Sequence, residues 1–119
     1  MSARVRLCAA AEIPDHAARG FHVSLARGPS RFDVERLELL VARRGERLFG
    51  YENRCPHRGT TLDWAPDRFM TDDSTHLQCA THGARFRVED GACVYGPCVG
   101  QALTPLVIEC VDGEVWLVR

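Results

Sequence analysis

Cys55-Pro56-His57-Arg58-Gly59-Thr60-Thr61-Leu62 and, after an irregular polar passage, Cys79-Ala80-Thr81-His82-Gly83-Ala84-Arg85-Phe86 are the two segments that decide how this 119-residue chain is read. Each carries one cysteine closely followed by one histidine. Together they offer two thiolates and two imidazoles, a combination that chance seldom assembles at this cysteine and histidine content. We read them as a metal site with Cys55, His57, Cys79 and His82 as ligands. Gly59 lies two residues after His57, and Gly83 directly follows His82. Without a Cβ, such positions let the backbone come close to a bulky inorganic core or turn through positive φ.

Two metal chemistries suit two cysteines and two histidines. One is tetrahedral zinc; the other is a [2Fe–2S] centre in which histidines replace two of the cysteines on one iron. A zinc finger groups its cysteines in one pair and its histidines in another, whereas here each segment brings one of each. Matched half-sites fit a binuclear centre approached by two loops, one iron taking both sulfurs and the other both ring nitrogens. Cys55-Pro56-His57-Arg58-Gly59 with Leu62, and Cys79-x-x-His82-Gly83 with Phe86, resemble the paired cluster-binding boxes of Rieske ferredoxins. Gly96-Pro97 resembles the proline loop that covers the cluster in that family. The resemblance implies one [2Fe–2S] cluster per chain and an all-β fold. That fold is a Rieske-like antiparallel β sandwich or barrel with a cluster-binding subdomain of two loops, about residues 54–98, within a single domain spanning 1–119.

A chain of this length forms one domain and buries roughly two thirds of its unfolded surface, so a substantial core is available. The formal net charge of −1, with arginines scattered rather than blocked, argues against nucleic acid or an anionic membrane as the main partner. The opening residues alternate charged with apolar side chains. They fail as a signal peptide and suit a first strand, and no stretch is long enough to span a bilayer. Six cysteines without an export signal point to thiols or metal ligands in a cytoplasmic protein. Two of them are assigned to the site. Cys8 and Cys110, in apolar runs near the two ends, are expected to be small buried hydrophobes. Cys93 and Cys98 flank Gly96-Pro97; we read them as packing thiols, with a local disulfide or a redox or ligand role as the alternatives. His16, His22 and His76 are expected to be solvated or packing residues.

Strand patterning dominates the rest. Val5–Cys8 alternates, Ile13-Pro14-Asp15 breaks it, and Gly20–Leu25 forms a second strand with Phe21 and Val23 on one face. Leu37–Ala42 is a buried run that turns at Arg44-Gly45 into Arg47–Glu52, a hairpin leading straight into the first cysteine box. Asp63–Thr75 has neither period and reads as a surface excursion holding at most one helical turn. Within it, Trp64 or Phe69 is a candidate to fold back onto the core or the site. Asp90-Gly91 and Asp112-Gly113 each join two apolar runs and supply the positive φ that a tight hairpin turn needs.

Ligand charge determines the redox chemistry. Two ferric ions, two sulfides and two thiolates sum to zero, whereas four thiolates leave the oxidised core at −2. An electron therefore enters the mixed-ligand core more easily, at roughly −150 to +300 mV against about −400 mV. High-potential members of the resembled family add a cysteine to each box, joined as a disulfide; the matching positions here are Thr60 and Thr81. Those members also place hydroxyl donors where this chain has Ala84 and Phe86. Fewer donors stabilise the reduced core less, which predicts a potential near the low end, around −150 mV. The resemblance thus implies a soluble one-electron carrier between a flavin- or NAD(P)H-linked reductase and an oxygenase such as an aromatic-ring dioxygenase, with no catalytic residues of its own. An uncharged rim of Leu62, Gly83 and Pro97 is the expected contact surface for these partners, with Arg58 as a solvated charge beside it. The alternatives are the electron-transfer small subunit of a larger reductase, such as a nitrite reductase, and a structural zinc module for protein interaction.

Overall fold

The period-two patterning becomes strand almost throughout the computed structural model of the chain, which describes residues 4–26, 28–56, 59–63, 65, 67–79 and 83–118. The strands are β1 (Arg4–Ala9), β2 (Ala18–Ala26), β3 (Val34–Arg44), β4 (Arg47–Glu52), β5 (His76–Gln78), β6 (Arg85–Arg87), β7 (Cys93–Tyr95), β8 (Pro105–Val111) and β9 (Glu114–Val118). A 3-10 turn, Ala10–Glu12, follows β1. No helix among the described residues is long and apolar enough to cross a membrane.

Six strands form one antiparallel sheet in the order β1-β9-β8-β4-β3-β2, and the three short ones form a second, β5-β6-β7. The larger sheet curls on itself. Val5 and Leu7 from one end of the strand order and Phe21 and Val23 from the other pack against the same buried group, which includes Ile13, Leu37, Leu39, Val41, Val115 and Leu117. This is the barrel-like half of the expected antiparallel fold. Hairpins set its register: β2 and β3 pair from Ala18↔Ala42 to Ala26↔Val34, and β8 and β9 from Val107↔Val118 to Val111↔Glu114. Asp112 and Gly113 both adopt positive φ (52° and 74°), as a two-residue turn between strands requires.

β3 explains why the Leu37–Ala42 run lacks alternation at its end. Successive side chains of a strand point to opposite faces. Leu37, Leu39 and Val41 enter the barrel core, while Leu40 and Ala42 enter a second core on the other face. Both faces are covered, so both sets of positions are apolar. The second core joins Ala18, Leu40, Ala42 and Tyr51 of the large sheet to Phe69, Leu77, Phe86, Val88 and Leu103 of the segment between β4 and β8. That segment departs from the large sheet at Glu52 and returns at Pro105, where Tyr51 pairs with Pro105. It carries both cysteine boxes and the small sheet.

Two expectations need correction. The 63–75 passage is not purely a surface excursion, because Phe69 is 1% exposed and its carbonyl accepts the amide of Gln78 at 2.7 Å. Its aromatic ring fills the space between the sheets; its described residues form turns and no helix. Trp64 lies outside the described residues. Cys110 is exposed rather than buried: β9 covers it on one side through Val115, but the pairing of β8 with β4 ends at Leu106, so its other side has no neighbouring strand among the described residues. Cys8 is buried, and burial pushes its thiol pKa up.

Candidate metal centre

The described residues of the two cysteine boxes make the same pair of backbone hydrogen bonds. In the first, the Gly59 amide donates to the Cys55 carbonyl and the Cys55 amide to the Thr60 carbonyl, each at 2.7 Å. In the second, the Gly83 amide donates to the Cys79 carbonyl and the Cys79 amide to the Ala84 carbonyl, each at 2.9 Å. Cysteine and glycine stand four residues apart in each box, and the glycines share a left-handed conformation, φ 73° at Gly59 and 68° at Gly83. A side chain at either glycine would strain that turn. The half-sites read from the sequence are therefore two copies of one backbone device, although His57 is two residues beyond its cysteine and His82 three.

The cysteines themselves are placed alike. Cys55 and Cys79 are 1% and 0% exposed and belong to one buried group with Leu62, Ala84, Phe86 and Cys98. His57 and His82 lie outside the described residues, as do Arg58 and Thr81. Among the described residues no set of three or more His, Cys, Asp or Glu gathers as a metal site. The donor chemistry on the described side nonetheless fits the thiolate half of the expected centre: two cysteines, kept from water, offered by two loops of matching geometry. His76 is engaged elsewhere, its Nδ1 2.8 Å from Thr75 Oγ1. His16 and His22 are exposed.

Three supports hold these loops; the Gly96-Pro97 turn is the one expected from the sequence, whereas Asn53 and Tyr51 were not legible as functional. Asn53 closes the first loop: its Oδ1 accepts the buried Leu62 amide at 2.8 Å and its Nδ2 donates to Asp63 Oδ1 at 3.0 Å. An Asn at the end of a strand is the one cue to such a side-chain brace. Tyr51 ties β4 to the β6–β7 turn by donating to the Val88 carbonyl at 2.6 Å. Burial first, then the carboxylates of Asp90 and Glu89, push its phenol pKa up to about 12. The third support is the Gly96-Pro97 turn. Gly96 sits at φ 98°, and a Cβ there would fall 2.9 Å from the Ala84 Cα, so glycine is what lets this turn lie against the second cysteine loop. Its next residue but one, Cys98, reaches the first loop, Sγ to Sγ 3.8 Å from Cys55. Cys93 donates to the Tyr95 carbonyl at 3.3 Å instead, and neither Cys93 nor Cys98 is in a disulfide.

The expected rim changes in one respect. Leu62 is fully buried, because its amide is drawn inward by Asn53. Exposed apolar surface comes from Val94, Tyr95, Pro97 and Val99, close in the chain to the buried Cys98. The Arg85 guanidinium lies over the Tyr95 ring, 5.2 Å from its centroid.

Comparison with known proteins agrees with this architecture. No curated protein matches the chain by sequence. The ferredoxin of carbazole 1,9a-dioxygenase from Nocardioides aromaticivorans IC177 superposes with a TM-score of 0.70 at 23% identity, over 96% of this chain and 95% of that one. A complex of reduced oxygenase and oxidized ferredoxin in carbazole 1,9a-dioxygenase contains a similar chain, with a TM-score of 0.67 at 24% identity over 96% and 91%. The Sphingomonas yanoikuyae B1 ferredoxin gives 0.66 at 23% over 98% and 99%. These likenesses show the fold. Residues 4–112 match the family model for the Rieske [2Fe-2S] domain, so both cysteine boxes and the turn against them lie within the match. This chain belongs to the Rieske [2Fe–2S] domain family, and its cofactor is a [2Fe–2S] cluster.

Proposed function

We propose that this chain, as a single domain, is a one-electron carrier that takes electrons from a flavin- or NAD(P)H-linked reductase and delivers them to a terminal oxygenase in the cytoplasm. Cys55 and Cys79 would hold one iron, and His57 and His82 the other. The duplicated loop carries the reading: two buried cysteines, each with the same pair of backbone hydrogen bonds and the same left-handed glycine, suit the two-loop grip of a binuclear centre. When bound, the cluster supplies reversible one-electron chemistry. The chain's part is to keep the two sulfurs out of water, to fix the loops through Asn53, Tyr51 and Gly96, and to present a surface to its partners. Val94, Tyr95, Pro97 and Val99 offer that surface, apolar and small, as transient electron-transfer contacts require. That one similar structure is a ferredoxin–oxygenase complex supports the choice of acceptor.

Neither Ala84 nor Phe86 carries a hydroxyl, and both are fully buried. The sulfurs therefore lack hydroxyl donors at these positions, which favours a potential near the low end of the Rieske range, around −150 mV. The test is the purified protein. It should contain iron and acid-labile sulfide, and its visible absorption should bleach on reduction. His82→Cys should lose the cluster or lower its potential by more than ~100 mV, toward the four-thiolate value. A colourless protein with stoichiometric zinc would refute the reading, and an unchanged potential in His82→Cys would remove that residue from the ligand set. A wild-type potential above about +100 mV would reassign the carrier to the high-potential type.

A further inference from the structure

We infer that the Cys98 thiol donates a hydrogen bond to Cys55 Sγ and thereby raises the reduction potential of the centre. The inference rests on the proposed ligation by Cys55. Cys98 is 1% exposed, and its sulfur lies 3.8 Å from that of Cys55, within hydrogen-bonding range for two sulfurs. As a cluster ligand Cys55 is a thiolate and has no proton to give, so the S–H of this pair belongs to Cys98.

The backbone holds the thiol in this place. The Gln101 amide donates to the Cys98 carbonyl at 2.8 Å, and the Cys93 amide to the Gln101 carbonyl at 2.9 Å, which pins the turn to β7. Gly96 fixes the other end against Ala84. Pro97 and Val99 on either side are exposed while Cys98 points inward, so the turn buries this one side chain among its immediate neighbours. A packing role alone would ask for any small apolar residue.

The sign follows from charge. One added electron makes the core and its ligand sulfurs more negative, and a donor aimed at such a sulfur binds the reduced form more tightly than the oxidised one. A thiol is a weak donor, so the effect is modest. Removing it should change the reduced-to-oxidised equilibrium by about three- to tenfold, and tenfold corresponds to 59 mV for one electron. Cys98 is thus a positioning residue for the electron-transfer step: it touches a ligand sulfur and sets how firmly the electron is held.

The experiment is a redox titration of the intact wild-type protein, Cys98→Ala and Cys98→Ser, each checked for iron and sulfide content. Alanine should shift the equilibrium against reduction by three- to tenfold, and serine, which keeps a donor, should recover at least half of the loss. In addition, electron–nuclear double resonance of the reduced wild type should show a coupled proton that exchanges in deuterated water and is absent from Cys98→Ala. An unchanged potential in the alanine variant, or serine falling as far as alanine, would overturn the inference while leaving the carrier reading intact. So would a Cys55→Ser protein that keeps its Rieske spectrum beside a Cys98→Ala protein that loses it, because Cys98 would then be the ligand. If the alanine variant does not retain its cluster, the wild-type resonance decides: no exchangeable coupled proton means no such bond. A wild type without iron or sulfide refutes the ligation on which the inference stands.

Discussion

Replacing Asn53 by alanine should open the first cysteine loop without disturbing the sheets. The Leu62 amide, in a residue 0% exposed, bonds to the Asn53 side chain and would be left buried without its acceptor. Such a group costs about 1–3 kcal/mol, and the lost bond to Asp63 adds ~1 kcal/mol. A total near 3 kcal/mol should raise the population of the opened loop about 100-fold. Amide hydrogen exchange reads this directly, because exchange through local opening scales with that population. The Leu62, Cys55 and Gly59 amides should exchange about 100-fold faster in Asn53→Ala, while amides of β2 and β3 keep their rates. Release of iron to a chelator should accelerate in parallel. Asn53→Asp separates the two bonds: it keeps an acceptor for Leu62 but sets a carboxylate against Asp63. That pair binds a proton more tightly folded than unfolded, so the variant should regain stability as pH falls from 7 toward about 4 and lose it as pH rises. Leu62 exchange in Asn53→Ala within about threefold of wild type would refute the bracing role, since it would put the opening cost below ~1 kcal/mol.

Tyr51→Phe should destabilise the protein by about 1–3 kcal/mol, seen as a lower denaturant midpoint at constant m, because the buried Val88 carbonyl loses its donor. The raised phenol pKa of about 12 has its own signature. Wild type holds this proton more tightly than the unfolded chain does, so its contribution is complete below about pH 10 and is lost as pH rises toward 12; the pH dependence of the denaturant midpoint should be flatter there in Tyr51→Phe. Asp73 gives the opposite sense: hydrogen bonds from the hydroxyls of Thr71 and Thr75 and from the Thr75 amide lower its pKa to about 2. Its stabilising effect should be present above about pH 4 and fade as pH falls toward 2, and Asp73→Asn should remove that dependence in acid titrations of stability. Gly96→Ala should cost about 1–3 kcal/mol through its φ of 98° and its approach to Ala84, measured again by denaturant midpoint, whereas Gly100→Ala, at a similar φ with open space around it, should cost less.

The sequence carried the local devices plainly. Asp112-Gly113 specified its own turn, the Arg44-Gly45 hairpin delivered the chain to Cys55, and a cysteine, a histidine and a glycine close together marked each loop. What it could not show depends on contacts between distant segments. Leu62 looked like rim because apolar type does not say which way a loop residue faces; Asn53 decides that by bonding its amide. Phe69 was legible as a candidate to fold back onto the core or the site, but only the gap between the two sheets, which a loop can fill, decides for the core. Cys110 had the neighbours of a buried strand residue but stands where β8 has left its partner β4. Cys98 met Cys55 across 43 positions, a proximity that no local pattern encodes. Asp73, Thr71 and Thr75, by contrast, are close in sequence and form a local turn whose consequence is seen only in the depressed carboxyl pKa.

Mixed nitrogen and sulfur ligation of a binuclear iron core is the claim on which the rest depends. Pulsed electron paramagnetic resonance of the reduced protein, with iron and sulfide quantified on the same sample, tests it most directly. The account predicts equal iron and sulfide together with nitrogen couplings from two imidazoles, reduced to one in His57→Cys or His82→Cys where the cluster is retained. A reduced iron–sulfur signal without nitrogen coupling, or a protein holding a lone zinc ion, would contradict it.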